Sequence, residues 1–479
     1  MDRTLPNPSA APEITDFDST GWTFRDPAGR LHLEAQCALR HIQPGAETAV
    51  RDFLESPLRR SLEESGELIR SVLAGPGDYA CIRPGELWLQ HPRIFPIAYP
   101  WEWTTAQWRA AAQLTLSVAE RAVKAGWLLK DATPLNVVFS AARPVLVDAL
   151  SLQRRDPHCG IWPAYGQFVR TFLLPLVAAK CLSWPLENTL FWRDGYEPRT
   201  IYGGLYPWQR LNPYWLDVVT LATLFESRQK PRRGGAAPVP PRNPEAAEFV
   251  LLRQISRLRR QTDYAARQQK TSAWIGYSKS ATHYGANDVE AKQSFVSEVL
   301  VRCKPGRLLD IGANTGTYSV LAAEAGADVV AVDHDAGALE VLWKTAAQRG
   351  LAITPLVANI ARPTPAVGWK NSEQLSLLDR LEGQFDFVLM LAVIHHLILR
   401  EQLPLRHIAE LCSSLTRRWI LLEWVPPSDP MYQEWLRGRD DLYGRFTEDD
   451  LFRAFSPYFQ LQSRQRLENG RVLLLFERW

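Results

Sequence analysis

The sequence is short of paired cysteines, of long apolar runs and of charge of one sign, and each shortage argues against a class of function. Six cysteines (Cys37, Cys81, Cys159, Cys181, Cys303 and Cys412) lie scattered along 479 residues with no CxxC pair. That spacing argues against both a zinc site and a disulfide framework. No window approaches the roughly 18 uninterrupted apolar residues needed to cross a bilayer, so no membrane partner is expected. The opening residues, MDRTLPNPSAAPEITDFD, have neither the basic start nor the apolar run of a signal peptide, and the cytoplasm is the expected compartment. A formal net charge of +3 is too mild for a committed nucleic-acid binder, which carries a strongly basic domain or stripe.

What is present is a soluble globular composition, 46% hydrophobic and 22% charged, on a chain too long for one ordinary core. Two or three domains are expected. Eighteen Trp and 34 Pro include clusters such as Tyr99-Pro100-Trp101-Glu102-Trp103. Residues of this kind clamp loops onto a core more often than they bind ligand. The stretch QKPRRGGAAPVPPRN, Gln229 to Asn243, reads as a linker, rich in Pro, Gly and Arg and poor in side chains that pack. It divides the chain into an N-terminal domain over 1–228, a linker over 229–245 and a C-terminal domain over 246–479. No internal repeat is visible. A basic helix follows the linker, from Phe249 to Arg260, with Leu251, Leu252, Ile255 and Leu258 on one face and Arg on the other. Such a helix either touches a polyanion or packs on its own domain.

In the C-terminal part, Arg307 to Ile311 reads as a buried strand, Gly312 and Gly316 as a tight turn, and Tyr318 to Ala325 as a helix. A strand, a glycine turn and a helix make a nucleotide-binding crevice, with free N–H groups at the helix start. The strand ends in Asp310, followed by Gly312, Ala313, Asn314, Thr315 and Gly316. A second strand, Ala327 to Val332, ends at Asp333, 23 residues after Asp310. That spacing suits a carboxylate whose two oxygens accept both hydroxyls of a ribose. Asp335 is the local competitor for this role. A helix from Ala336 to Arg349 and a third strand from Ile353 to Ala358 follow, the strand ending at Asn359. A fourth strand starting at Phe385 runs through Leu391 into Ile394-His395-His396-Leu397. A fifth, Arg418 to Leu422, ends at Glu423, and the runs from Phe459 and Arg471 read as a closing antiparallel pair.

The acidic residue followed by G-x-x-x-G resembles motif I of class I S-adenosylmethionine-dependent methyltransferases, and the later motifs arrive in that family's order. The resemblance implies a Rossmann-like α/β domain with a seven-stranded sheet and S-adenosyl-L-methionine as cofactor. Asp310, Gly312, Asn314, Gly316, Asp333, Asn359 and Leu391 are then the expected cofactor contacts. Asn359 departs from the Asp the family often carries beside the adenine amino group. Methyl transfer is an in-line displacement from a sulfonium, so the enzyme positions donor and acceptor and no metal is expected. His395 or His396, at a strand end facing the crevice, is the candidate general base, with Glu423 as a further candidate base or substrate contact. One of the two His can equally be a packing residue. Trp274, Tyr277 and Tyr284, ahead of motif I, fall where the family supplies a lid.

The N-terminal part carries Leu128-Leu129-Lys130-Asp131-Ala-Thr-Pro134-Leu-Asn136, then Val145-Leu-Val-Asp148. This resembles the catalytic loop and metal-binding Asp of protein kinases, and a preceding helix, Trp108 to Ala125, fits their C-lobe. The resemblance implies an α+β domain like a kinase C-lobe, with a reduced N-lobe ahead of a hinge-like stretch at Ile94. Lys130, Asp131, Asn136 and Asp148 then form its site. In an active kinase these positions bear a catalytic Asp and two magnesium ligands. Several features depart: Lys130 replaces the usual Arg, Leu129 the usual His, Asp148 precedes Ala-Leu, and no Gly-rich loop or strand-borne Val-Ala-Ile-Lys lies upstream. Phosphotransfer is not expected, and the other reading is a hydrogen-bonded turn that holds the domain together.

The pairing of these segments resembles a group of bacterial two-domain proteins described as class I methyltransferases, some of them as nodulation host-specificity proteins. The favoured expectation is methyl transfer to a small or medium-sized acceptor. An RNA or protein acceptor held by Arg253 to Arg267, and a nucleotide-binding scaffold, are the alternatives. Neither the acceptor nor the oligomeric state is legible.

Overall fold

The structure is a computed structural model that describes residues 26–34, 36–226, 243–267, 286–436 and 446–479. Most of the expected linker, and Trp274, Tyr277 and Tyr284, lie outside the described residues. The chain forms two compact units, one from the described residues up to Glu55 with Arg70–Arg93 and Ala366–Leu375, the other from the remainder.

In the first unit, β1 (Gly29–Leu33), β2 (Cys37–Ile42), β3 (Val72–Ala74) and β4 (Leu87–Pro92) form an antiparallel sheet in the order β1-β2-β4-β3. Residues two apart on a strand share a face. Cys37 and Leu39 therefore point the same way, and they meet Ala74, Ile82 and Trp88 in a small core. This sheet is the reduced lobe expected ahead of Ile94.

The second unit takes in Ser56–Ile69 and then the chain from Ile94, whose first long helix is α1 (Thr105–Lys124). Its start is set by a capping box, in which Gln107 N donates to Thr104 Oγ1 and Thr104 N donates to Gln107 Oε1. The helix leads to β5 (Trp127–Leu129), the 130–136 loop, the hairpin β6 (Val137–Ser140) with β7 (Arg143–Leu146), then Asp148 and β8 (Leu152–Arg154), which pairs back to β5. Helix, loop, hairpin and Asp follow in the order the kinase resemblance implies.

Helix α2 (Pro244–Ala265) buries Leu251, Ile255 and Leu258, as the apolar spacing predicts. Its polar partners all precede residue 228. Arg257 pairs with Asp217 at 2.7 Å, Arg259 with Glu120 at 2.9 Å, and Asp263 with Arg109 at 2.6 Å. The first element after the expected linker is thus docked on α1 by its apolar stripe and a row of ion pairs.

The seven-stranded sheet comprises β9 (Arg307–Ile311), β10 (Asp328–Asp333), β11 (Ile353–Val357), β12 (Phe385–Met390), β13 (Thr416–Trp424), β14 (Phe459–Arg466) and β15 (Val472–Arg478), ordered β11-β10-β9-β12-β13-β15-β14. The first five strands are parallel, and β15 runs antiparallel to both of its neighbours. Helices α3 (Ala286–Cys303), α4 (Thr317–Glu324), α5 (Ala336–Arg349) and α6 (Ile394–Leu399) accompany it. Every residue of β11 is buried, as a parallel strand covered on both faces requires. Because β9 pairs with both β10 and β12, the strand order reverses there. The connections leaving β9 and β12 diverge and open a crevice at the carboxyl edge.

Among the described residues no helix is long and apolar enough to cross a membrane.

Candidate active site

The crevice is a cavity of about 550 Å³, and the turn after β9 forms one wall. Gly312 N donates to Val332 O at 2.8 Å, so the turn is pinned to the end of β10. Gly312 (φ 77°), Asn314 (φ 51°) and Gly316 (φ 81°) all have left-handed backbone, which glycine adopts without steric cost. A Cβ at Gly312 would stand 2.3 Å from Val393 Cγ2, and one at Gly316 would stand 2.2 Å from Leu342 Cδ1. The glycines therefore let the turn close against its neighbours, a packing role that spacing does not disclose. Gly312 lines the cavity. Gly316 does not; it caps α4 and sits against Leu342.

Asp310, Asn314, Asp333, Asn359 and Leu391 all line this one cavity. Asp333 accepts from Asn314 N at 2.8 Å through one oxygen and from Asp335 N at 2.9 Å through the other. Burial pushes its pKa up, but the hydrogen bond from His334 and those two backbone donors outweigh it and hold Asp333 below the ordinary carboxylate value. It is an anion at neutral pH. Asp310 is the opposite case. Burial pushes it up to about 7, against the hydrogen bond that Ser319 Oγ donates at 2.6 Å. Asp335, the local competitor, uses Oδ1 to cap α5 through the N–H groups of Gly337 and Ala338.

Strand β12 stops at Met390, and Leu391 to Val393 form an irregular turn before α6, which carries His395 and His396 into the cavity lining. Their rings lie 4.2 Å apart. Burial, and next the neighbouring His396, lower the pKa of His395 well below the usual imidazole value. Burial and the nearby Arg400 lower that of His396 to about 4. Both rings are neutral near pH 7.

Glu423 is corrected by the structure. Expected over the crevice, it is completely buried beneath it and does not line the cavity. Lys292 Nζ sits 2.6 Å from one of its oxygens and Arg471 Nη1 3.5 Å from the other, while Arg471 Nε reaches Asp429 at 2.8 Å. A carboxylate held by two buried cations is a support, because losing it would take from buried Lys292 the anion 2.6 Å away, while Arg471 would keep Asp429.

Two residues of the lining, Asn314 and His395, each keep one side-chain atom, Oδ1 and Nδ1, buried with no hydrogen-bond partner among the described residues. A buried polar atom without a partner costs stability. With an anionic Asp333 and with Asp310 in it, the lining fits a cofactor that has a ribose and a charged amino acid end. Lys292, Tyr318, Arg400, Glu401 and Arg471 also line the cavity and were not anticipated. They come from α3, α4, the end of α6 and the start of β15, segments whose own sequence patterns signal only burial or a solvated face.

The N-terminal candidates are placed differently. Asn136 Nδ2 is 3.5 Å from Asp148 Oδ2 and 3.3 Å from Ser151 Oγ. Ser151 Oγ donates to Asp148, whose other oxygen accepts from Leu150 N at 3.2 Å. Asn136 and Asp148 thus come together as expected, and their hydrogen bonds are directed at one another and at the turn Ala149–Ser151. Lys130 N donates to Ser151 O at 2.8 Å, which draws the loop onto the same turn. Asp131 lies in this loop between Lys130 and Ala132, whose N–H donates to Gln167. Among the described residues no group of three or more His, Cys, Asp or Glu is arranged to hold a metal ion.

A family model described as a methyltransferase domain matches residues 283–461. The chain is 28% identical over 470 residues to the nodulation protein NoeA of Rhizobium meliloti (strain 1021), covering 95% of each. Solved structures similar to part of it include magnesium protoporphyrin IX methyltransferase from Synechocystis PCC 6803 with bound S-adenosylhomocysteine. That match is 18% identical and covers 43% of this chain and 94% of that one, with a TM-score of 0.31. Another is the bifunctional kinase-methyltransferase WbdD, 19% identical over 41% of this chain and 40% of that one, with a TM-score of 0.30. The methyltransferase match spans β9 to β13 and the turns after them, and on that ground the chain carries an S-adenosylmethionine-dependent methyltransferase domain of the class I fold.

Proposed function

We propose that this enzyme methylates a small or medium-sized acceptor held beside His395 and His396. The observation that carries the reading is the cavity. Its lining joins an ionised Asp333, an Asp310 that burial lifts to about 7 and two neutral imidazoles at the carboxyl edge of the parallel strands of one sheet. In this reading Asp333 accepts the ribose hydroxyls, Asp310 faces the charged amino acid end, and Asn359 and Leu391 flank the base. Gly312 and Asn314 shape the turn around the cofactor, and Gly316 acts indirectly by letting that turn close. When bound, S-adenosylmethionine supplies a methyl group on a sulfonium. His395 accepts the acceptor's proton. A nitrogen or oxygen that has just gained a methyl group is strongly acidic, so a weakly basic imidazole suffices. His396, tilted against it at 4.2 Å between ring centres, packs and orients that ring. Lys292 and Arg471, neutralised from below by Glu423 and Asp429, keep the floor of the site rigid.

The RNA or protein alternative needs a free basic face. Arg257 and Arg259 of α2 are instead engaged with Asp217 and Glu120, which favours the packing role for that helix. For the N-terminal domain, about 1–228, we propose a kinase-like fold that does not transfer phosphate. The mutual bonding of Asn136, Asp148 and Ser151 supports this, and the domain serves as a partner of the methyltransferase domain assigned to 246–479.

Calorimetric titration of the whole chain with S-adenosylhomocysteine, alongside Asp333→Ala, tests the reading. The intact chain is expected to bind and the variant to lose on the order of a hundredfold in affinity, the worth of two charged hydrogen bonds. Equal affinity of the two proteins would remove Asp333 from the cofactor site.

A further inference from the structure

The strand ends that wall the cavity are held in place by a carboxylate from far outside the methyltransferase motifs. The loop that leaves β11 contributes Ala358, Asn359 and Ile360 to the lining. Five residues beyond Asn359, Thr364 Oγ1 donates to Glu102 Oε1 at 2.6 Å. Glu102 belongs to the Tyr-Pro-Trp-Glu-Trp segment and is completely buried. Its other oxygen accepts from Tyr99 N at 3.0 Å, and Arg380 Nη2 donates to the same oxygen as Thr364. Arg380 also donates to Ile97 O, and its guanidinium lies 4.6 Å from the Tyr99 ring centre.

The neighbouring residues reach the same wall. Gln107 Nε2 donates to Pro355 O on β11, the edge strand of the sheet, at 3.3 Å. An edge strand presents unpaired backbone groups, and here one of them is taken up from α1. Ala106 N donates at 3.2 Å to Glu340, on the helix that follows Asp333. One turn of chain, residues 102 to 107, thus touches both the loop after β11 and the helix after β10. The loop has further tethers: Ala358 N donates to Asp333 O at 2.9 Å, Leu377 N donates to Thr364 O at 3.0 Å, and Arg362 pairs with Glu401 at 3.1 Å.

We propose that Glu102 is a positioning residue of the methyltransferase, which acts through Thr364 to fix residues 358–364 against the cavity. The inference rests on the proposed use of this cavity for the cofactor, with Asn359 and its neighbours at the base. A buried, ion-paired carboxylate provides a rigid acceptor for a loop hydroxyl. With the acceptor in place the loop is ordered before ligand arrives, so binding need not supply that ordering. The Trp-rich segment thus serves the site at a distance, a role that clamping a loop onto a core makes possible.

The test is Thr364→Val in the full chain, with Thr364→Ser as the conservative control. The Val variant keeps side-chain volume and leaves the Glu102–Arg380 pair intact, so a fold close to wild type is expected. S-adenosylhomocysteine affinity should fall about threefold to tenfold, the range of one hydrogen bond, and the Ser variant should restore it. Hydrogen exchange at the amides of 358–364 should rise in the Val variant only. Wild-type affinity in a folded Val variant would overturn the proposal, and so would unchanged exchange. A wild-type chain that fails to bind S-adenosylhomocysteine sinks the cofactor reading, and the exchange result then still decides whether Glu102 holds the loop.

Discussion

Two loops in this molecule carry an Asn and Asp residues close together, and they spend them in opposite ways. After β9 the side chains of Asp310, Asp333 and Asn314 surround a cavity, and Asn314 Oδ1 finds no partner among the described residues. In the 130–148 region Asn136, Asp148 and Ser151 bond one another. A polar group that is bonded within the chain stabilises the fold, whereas carboxylates that line a cavity are placed to receive a ligand. The comparison separates a binding wall from a structural turn built of the same residue types.

Four measurements break or sharpen that contrast. The largest effect is expected at His395. Its replacement by Ala should slow methyl transfer by about a hundredfold or more, with S-adenosylhomocysteine affinity little changed, as read from labelled cofactor and cell-extract acceptors. An unaltered rate would leave His395 as a packing residue.

The next effect concerns Asp310, pushed up to about 7 by burial. Only its ionised form attracts a ligand ammonium. S-adenosylhomocysteine affinity should therefore weaken below pH 7, by up to about tenfold per pH unit, and the slope should vanish in Asp310→Asn. Without ligand the sign reverses. The folded chain keeps a proton that the unfolded chain, with Asp near 3.8, releases. Wild type should thus lose stability relative to Asp310→Asn as pH rises from about 4 to 7, which urea melts at several pH values would show.

For the N-terminal turn, Asp148→Ala should lower stability by about 1 to 2 kcal/mol, through loss of a turn acceptor. Cofactor affinity should not move. Loss of an ATP-dependent activity in that variant would instead give this loop a chemical role. The smallest effect is expected at the surface pair Arg259–Glu120, where Arg259→Gln should cost about 0.5 kcal/mol in a thermal melt. RNA binding that this change weakens and salt abolishes would revive a polyanion acceptor.

Much of the architecture was legible because parallel strands buried on both faces read as apolar runs, and the glycine turn punctuates them. Asp310 and Asp333 could be assigned to strand ends from local pattern alone, whereas both His, expected at the end of the fourth strand, stand on α6 after an irregular turn. Glu423 was assigned by the same logic and behaves otherwise, because α3 and the start of β15 bring Lys292 and Arg471 to it. Pattern tells where a residue sits on its own strand but not which distant cation meets it. The short strands β1 to β4 gave no readable alternation, since three to six residues carry too little periodicity to set them apart from loops.

The sequence by itself determined the order of strands and turns in the methyltransferase half and the run of helix, loop, hairpin and Asp from α1 to Asp148, while the cofactor class came from the family resemblance those motifs carry. These rest on local spacing, which chain chemistry dictates within each element. Only the tertiary structure decided that Glu423 is a buried support, that α2 packs on α1, and that Glu102 holds the loop beyond Asn359. Those outcomes depend on contacts between residues up to several hundred positions apart, formed where burial forces each polar group to find a partner.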